Sequence, residues 1–451
     1  MRGNQRLLVH LLGLSLCLLP VSRAAGEEKV LRCDLQACIN VAFANHPVLK
    51  AGEARESAAR SQVEVKIAER RPTLDLEAES GALVGKSITP FSAIAGVTEE
   101  GAPQRRVAGG YYQATLGMEV PLFKEGTLIG QPAVSVRQAE LKVAEEDWAT
   151  QFLRLQVALN VAEPYLQVLK QRKAIKIHED IVAALEAGHQ LIVAQFKQDL
   201  ISRNDLLIAE VRVATAKRDL SLARLDLQKN HKALVSSMGF IETIPIIDIQ
   251  ELQHPPLPPL PLESLVTLAR HNHPALKARQ LRVQEEFEEV SRIRSEQYPT
   301  LSFKTHYGFV DAFTGRPDDQ WTAAVNVKVP IFDFGLIRKK AEVARAKAME
   351  EESLMLDFQR DIEQQLSERY IFLQHLEEQL GLIKKEIEQA EEELKLNTAM
   401  FRQQLVPQLT VVTAETALLK LQLALSEAQY DQKLTHIQLD LISGPRDLKA
   451  K

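Results

Sequence analysis

From Leu336 to Arg402 the chain holds no proline, and Leu373, Leu376, Leu380, Ile383, Ile387, Ala390 and Leu394 recur at steps of three and four. That spacing predicts a heptad seam along one long helix, 336–402. At 1.5 Å per residue such a helix is a rod of about 100 Å. A turn at Leu405-Val406-Pro407 ends it, and a second helix is predicted over 408–443, stopped by Gly444-Pro445. Upstream the period changes to two. Leu301, Phe303, Thr305, Tyr307 and Phe309 alternate with Ser302, Lys304, His306 and Gly308. After a loop, Trp321, Ala323, Val325, Val327 and Val329 alternate with Thr322, Ala324, Asn326 and Lys328. These predict strands 300–309 and 321–330. Before them a charged helical pattern from Leu262 to Gln297 breaks at His273-Pro274, where proline suits a first helical turn and Asn272 or His273 is placed to cap it.

The first half of the chain repeats this order. Asn45-His46-Pro47-Val48-Leu49-Lys50-Ala51 matches Asn272-His273-Pro274-Ala275-Leu276-Lys277-Ala278, and Arg71-Pro72-Thr73-Leu74 matches Tyr298-Pro299-Thr300-Leu301 at the same shift of 227. The shift becomes 209 at Val120-Pro121-Leu122-Phe123 against Val329-Pro330-Ile331-Phe332. It becomes 205 at Ala209-Glu210 against Ala414-Glu415 and at Met238-Gly239 against Ser443-Gly444. The chain therefore reads as a tandem duplication, 25–240 and 262–444, with a period far above that of solenoid repeats. In the first copy the strands are predicted at 73–81 and 111–121, the long helix at 133–195 with a kink at Pro164, and the last helix at 205–238. A proline-rich linker, 241–261, joins the copies, and 445–451 forms a tail. Each copy then makes one long rod antiparallel to two shorter rods in line.

The strands have one apolar and one polar face over about nine or ten residues, the length that crosses a bilayer at a tilt. Leu74, Leu76, Leu116 and Val120, with Leu301, Phe303, Val325 and Val327, form the expected lipid-facing set. Asp75, Glu77, Glu79 and Glu119, with Lys304, Asn326 and Lys328, form the expected lumen-facing set. Four strands do not close a barrel, and membrane barrels need at least about eight, so several chains would share one. A soluble sandwich that uses the apolar face as its core is the competing reading.

Composition narrows the class. With 45% hydrophobic and 25% charged residues the chain buries a sizeable core, and a net charge of -5 argues against nucleic acid as the main partner. Arg2 and Arg6, the apolar run from Leu7 to Val21, and Ser22-Arg23-Ala24 predict a signal peptide over 1–24. A lipid anchor at Cys17 is opposed by Leu16, which is too large for the residue before an acylated cysteine. Export leaves Cys33 and Cys38 as a possible disulfide, which requires Cys33 to precede the first helix. No later run reaches the length of an apolar membrane helix. Chemical motifs are incomplete: Gly81 to Ser87 is one residue short of a phosphate-binding loop and leads to no helix. His178-Glu179 meets Val182 where a second zinc-binding His would stand, and the pair His271 and His273 has only His46 as counterpart. No catalytic, cofactor or metal site is expected, and the chain does not read as an enzyme.

The duplicated order of helix, two strands, long helix and shorter helix, the two helix-opening NHP motifs, the paired Val-Pro-Leu-Phe and Val-Pro-Ile-Phe segments, and Phe196 and Phe401 before the turns resemble the TolC family of outer-membrane efflux proteins over roughly residues 30–444. The resemblance implies a mainly α fold with membrane β: a homotrimer whose strands form one twelve-stranded barrel in the outer membrane of a Gram-negative bacterium. Helical hairpins would continue it as an α-barrel across the periplasm. It implies a passive export duct of a tripartite efflux or type I secretion system, docked at its turn end to a periplasmic adaptor (membrane fusion protein) and an inner-membrane pump. Acidic residues constrict the family's closed end just after the second turn. The matching positions here are Thr410 and Thr413, a departure that leaves the gate chemistry open. Asp205, the counterpart of Thr410, joins Asp199 and Arg203 as a candidate for constriction or docking; the plain alternative is charge at a helix N-terminus. The alternative function is a non-conducting periplasmic coiled-coil adaptor or tether, which calls for one helical hairpin on a compact β-domain.

Overall fold

The computed structural model describes residues 31–87, 105–198, 200–240, 247–251, 260–312 and 318–444. The predicted signal peptide, Asp199, most of the linker and the tail lie outside them. In chain order the elements are β1 (Leu31–Cys33), α1 (Leu35–Asn45), α2 (Pro47–Ala68), β2 (Thr73–Ser87), β3 (Arg105–Lys124), β4 (Thr127–Leu128), α3 (Val134–Phe196) and α4 (Arg203–Ser237). They continue with β5 (Ile247–Ile249), α5 (Leu262–Asn272), α6 (Pro274–Ser295), β6 (Thr300–Ala312), β7 (Asp318–Lys328), α7 (Leu336–Arg402) and α8 (Gln408–Ile442).

Both NHP motifs end a short helix and open a longer one with proline in its first turn, but the side-chain cap expected from Asn272 or His273 does not form in the second copy. Asp34 caps α1, its carboxylate accepting from Ala37 N at 2.7 Å. At His46 the chain turns into α2, with Pro47 in the first helical turn and His46 Nδ1 accepting from Val48 N at 3.3 Å. His273 occupies the same position before α6 but makes no side-chain cap bond. Its ring is instead buried, 5.5 Å from Phe152 and 6.2 Å from Phe358. Packing against α3 and α7 overrides the local capping preference. The glycines that end α4 and α8 explain why both copies keep this motif. Gly239 (φ +87) and Gly444 (φ +90) adopt left-handed backbone, and a Cβ on them would stand 3.0 Å from His46 Cα and 3.3 Å from the Asn272 carbonyl carbon. Each copy thus closes its last helix onto its own NHP turn.

Helices lie side by side in one layer. Alongside α3 run α2 and α4 on one side and α6 and α8 on the other, and α7 borders α6 and α8. Both long helices therefore have two shorter partners in line, and α3 joins the copies. The outer edges of the layer are α2 with α4, and α7. The predicted seam is real: Leu373, Leu376, Leu380, Ile383 and Ala390 of α7 are buried, with Leu380 and Ile383 against Ala428 of α8. The helix α3 continues through Pro164 without a break. The largest core cluster gathers Cys38, Leu49, Tyr165, Leu166, Leu234 and Met238 where α1 packs on α3 and α4. There β5 pairs in parallel with β1, while Tyr165 Oη donates to Gln250 O at 2.6 Å and Arg172 donates to Ile249 O at 3.0 Å. The described end of the linker is pinned to the long helix.

The sheet order is β2-β3-β6-β7, antiparallel throughout, with β4 against the foot of β3. Both first-copy strands and β6 run further toward their loops than the alternation suggested, while β7 stops at Lys328, short of residue 330. Gly81 is the last residue of the predicted first strand and Gly109-Gly110 precede the predicted second, yet the ladder continues through them to Ser87 opposite Arg105.

Candidate membrane and pore surfaces

Register decides which side chains share a face. Leu74 lies opposite Met118 and Leu76 opposite Leu116. Leu116 lies opposite Tyr307 and Val120 opposite Phe303. Phe303 lies opposite Val325, and Leu301 opposite Val327. All eight apolar residues singled out in the sequence thus stand on one side of the sheet. Among the described residues nothing covers that side: Leu76 is 73% exposed and Val327 is 61% exposed. The soluble-sandwich reading needs these residues packed as a core, and in this chain they are not. A continuous apolar patch of this kind marks a surface that meets lipid or another protein. Trp321, opposite Tyr307, satisfies its indole by donating from Nε1 to Thr305 Oγ1 at 2.9 Å while its ring stays exposed.

The other side carries Asp75, Glu77, Glu79, Glu119, Lys304, Asn326 and Lys328. Lys304 Nζ sits 3.0 Å from Glu119 Oε2 across the β3-β6 seam, and Gln113 donates to Glu79 at 3.0 Å.

Sheet and helices meet at two equivalent turns. Glu125 (φ 57) with Gly126 (φ 75), and Phe334 (φ 52) with Gly335 (φ 77), are successive left-handed residues. In the first copy Arg70, buried at the end of α2, donates to the carbonyls of Lys124, Thr127 and Leu128 at 3.1–3.3 Å, and the Glu125 carboxylate accepts from Ser135 Oγ at 2.8 Å. In the second, Asp333 accepts from the amides of Gly335 and Ile337, each at 2.9 Å. Sequence reasoning missed Arg70. Its counterpart is Gln297, so the repeat offered no signal.

At the helical turns, Ser202 and Asp205 form a capping box: Ser202 Oγ accepts from Asp205 N at 3.2 Å and donates to Asp205 Oδ2 at 2.7 Å. The Asp205 carboxylate is thus engaged by its own helix start. Arg203 is exposed beside it, and Asp199 lies outside the described residues. Thr410 N donates to Pro407 O in the first turn of α8. Thr413 Oγ1 donates to Leu409 O at 2.7 Å and accepts from Arg212 Nη1 at 3.0 Å. The structure therefore joins Thr413 to Arg212, which the sequence reading did not single out, and among the described residues no hydrogen bond links Asp205 to either threonine. Leu200 and Leu405 at the two turns are 67% and 68% exposed.

Two titratable sites lie where the copies pack together. Burial between α3 and α6 pushes the Glu285 carboxyl up to about 7; Lys142 opposes that shift and Glu145 adds to it. Lys142 Nζ itself lies 2.6 Å from Glu145 and 3.4 Å from Glu146. Burial likewise pushes the His273 imidazole down to about 4, so it is neutral at ordinary pH. Its Nδ1 has no hydrogen-bond partner. Cys38 is buried in the main core, while the Cys33 side chain, and with it the expected bridge, lies outside what is described.

The family profile of outer membrane efflux proteins matches residues 38–240 and 265–445. Protein CyaE of Bordetella pertussis is 24% identical over 331 residues, covering 71% of this chain and 65% of CyaE, so the match spans less than two thirds of that relative. Among solved structures, the outer membrane protein VceC of Vibrio cholerae superposes with a TM-score of 0.73 at 18% identity, over 92% of this chain and 97% of VceC. The open state of the MtrE outer membrane channel of Neisseria gonorrhoeae superposes with a TM-score of 0.71 at 16% identity, over 92% and 91%. These likenesses concern the fold, and the two profile matches together take in most of both copies. The chain belongs to the outer membrane efflux protein family.

Proposed function

We propose that this protein is the outer-membrane duct of an efflux or type I secretion system, a passive conduit that reaches from the outer membrane of a Gram-negative bacterium into the periplasm. The observation that carries the reading is an apolar sheet face that is uncovered among the described residues, on a sheet and a helix layer that those residues leave open at both edges. Unpaired strand edges cost several kcal/mol per backbone group in hydrocarbon, so a sheet in lipid must close. A head-to-tail contact that rotates into a ring closes both layers at once. Three copies supply twelve strands, enough for a barrel with a wet interior. The polar side, with Asp75, Glu77, Glu79, Glu119, Lys304, Asn326 and Lys328, then lines the lumen, and Leu74 to Val327 on the other side meet acyl chains.

In this reading the duct catalyses nothing and binds no cofactor. A periplasmic adaptor docks at the exposed turns around Leu200 and Leu405, and an inner-membrane pump supplies the energy. Arg203, Asp205, Thr410 and Thr413, with Asp199, are the constriction or docking candidates. The test is the facing of the strands. Leu301→Asp and Val327→Asp place a charge on the apolar face near the foot of the sheet, at a cost of up to about 1 kcal/mol per chain near the interface, and should weaken assembly into outer membranes. Asn326→Asp should assemble normally. Equal behaviour of all three variants would overturn the proposed facing.

A further inference from the structure

The two hairpins of the chain are built in the same register. Thr73 stands opposite Glu119 in the first and Thr300 opposite Lys328 in the second, and the shifts of 227 and 209 that align the sequences convert one pair into the other. The chain contains one seam between hairpins, β3-β6, where Val120 faces Phe303, Glu119 faces Lys304 and Thr115 faces Gly308. From this seam we infer the register of a second one, between β7 of one copy and β2 of the next: Lys328 stands opposite Glu77 of the partner subunit, and Val329 opposite Leu76 of the partner subunit. The inference rests on the ring of copies proposed above and adds to it a residue-by-residue register.

Three features of the internal seam carry over. The first is charge. Glu119 and Lys304 lie 3.0 Å apart, and their counterparts are Lys328 and Glu77, with both signs exchanged and complementarity kept. Because Asp75 and Glu79 are also acidic, charge alone would tolerate a slip of two residues. The second feature fixes the slip. Gly308 has no room for a side chain, since a Cβ there would stand 2.6 Å from Ala114 O and 2.8 Å from Thr115 Oγ1. Its counterpart is also glycine, Gly81, and only the inferred register sets Gly81 of the partner subunit opposite Ala324, the counterpart of Thr115.

The third feature concerns the foot of the sheet. In the first copy Tyr298 covers the turn glycine, its ring 3.0 Å from where a Gly126 Cβ would be, whereas nothing lies within 4 Å of that point at Gly335. Phe332 and Phe334 beside it are 75% and 90% exposed, with ring centroids 4.5 Å apart. The counterpart of Tyr298 is Arg71. Arg71 of the partner subunit therefore comes to lie over Gly335, where its guanidinium meets the two rings in a cation-π contact.

Directly opposite residues on antiparallel strands have Cα atoms about 4.5–5.5 Å apart, whereas residues two positions off stand near or beyond the ~7 Å limit for a disulfide. Full-length protein carrying Lys328→Cys with Glu77→Cys should thus oxidise in outer membranes to a covalent oligomer on denaturing gels. Lys328→Cys with Asp75→Cys, and Lys328→Cys with Glu79→Cys, should stay mostly monomeric there. Preferential crosslinking of either control would overturn the register while leaving the ring intact. The native mass of the unoxidised samples reports on the ring separately: anything other than three chains would defeat the underlying assembly. Charge exchange is an independent check. Lys328→Glu should lower the temperature at which the oligomer dissociates, and adding Glu77→Lys should restore it; absence of restoration would count against the pairing.

Discussion

Arg212 Nη1 donates to Thr413 Oγ1 at 3.0 Å, and this bond joins α4 of the first copy to α8 of the second although both flank α3. It lies near the helical turns, at a position where the family resemblance anticipated an acidic residue. Removing it leaves the Thr413 hydroxyl with its bond to Leu409 O. Arg212→Ala and Thr413→Val should each loosen this end of the duct and raise the resting current of the reconstituted channel. An unchanged current in both variants would count against a constriction at this turn.

Gly188 of α3 sits at the same level, and a Cβ on it would be 2.8 Å from Val412 Cγ2. Gly188→Val should overpack the contact and cost about 1–3 kcal/mol, read as an earlier thermal transition. Val412→Ala in the same chain should return part of the loss, because it empties the space the new side chain needs. A double variant no better than the single one would contradict the contact.

Glu285 and His273 predict opposite responses to pH. The folded chain holds the Glu285 carboxyl at about 7, above its ordinary 4.5, so it binds the proton more tightly than the unfolded chain does. That contribution is complete below about 4.5 and is lost as pH rises toward 7. Glu285→Gln should flatten the thermal-stability profile over that window; with the group half exposed, the effect is on the order of 1 kcal/mol.

His273 behaves in the reverse sense. Its folded value near 4 lies below the ordinary 6.5, so the contribution is present above 6.5 and is lost as pH falls toward 4. His273→Phe should remove this acid sensitivity, worth up to about 3 kcal/mol.

How far the sequence was legible depended on the range of the force involved. Leu373 to Ala390 and the alternating strand faces were readable because burial imposes a period on the chain itself. The strand ends past Gly81 were not, since glycine interrupts the side-chain pattern without interrupting the backbone ladder. His46 and His273 share one motif and part ways only through tertiary packing, which no local rule carries. Arg70 and Arg212 were invisible for a related reason: their counterparts are Gln297 and Ala417, so the duplication that exposed the rest of the design was silent about them.

In the proposed duct the apolar sides of β2, β3, β6 and β7 meet lipid while their polar sides enclose water in a cylinder shared by copies of the chain. The most direct measurement takes detergent-extracted protein of known native mass into a planar bilayer and records current under voltage. A shared cylinder gives particles of three chains that insert spontaneously and show discrete, ohmic conductance steps. A monomer that stays in solution without detergent and passes no current would contradict it.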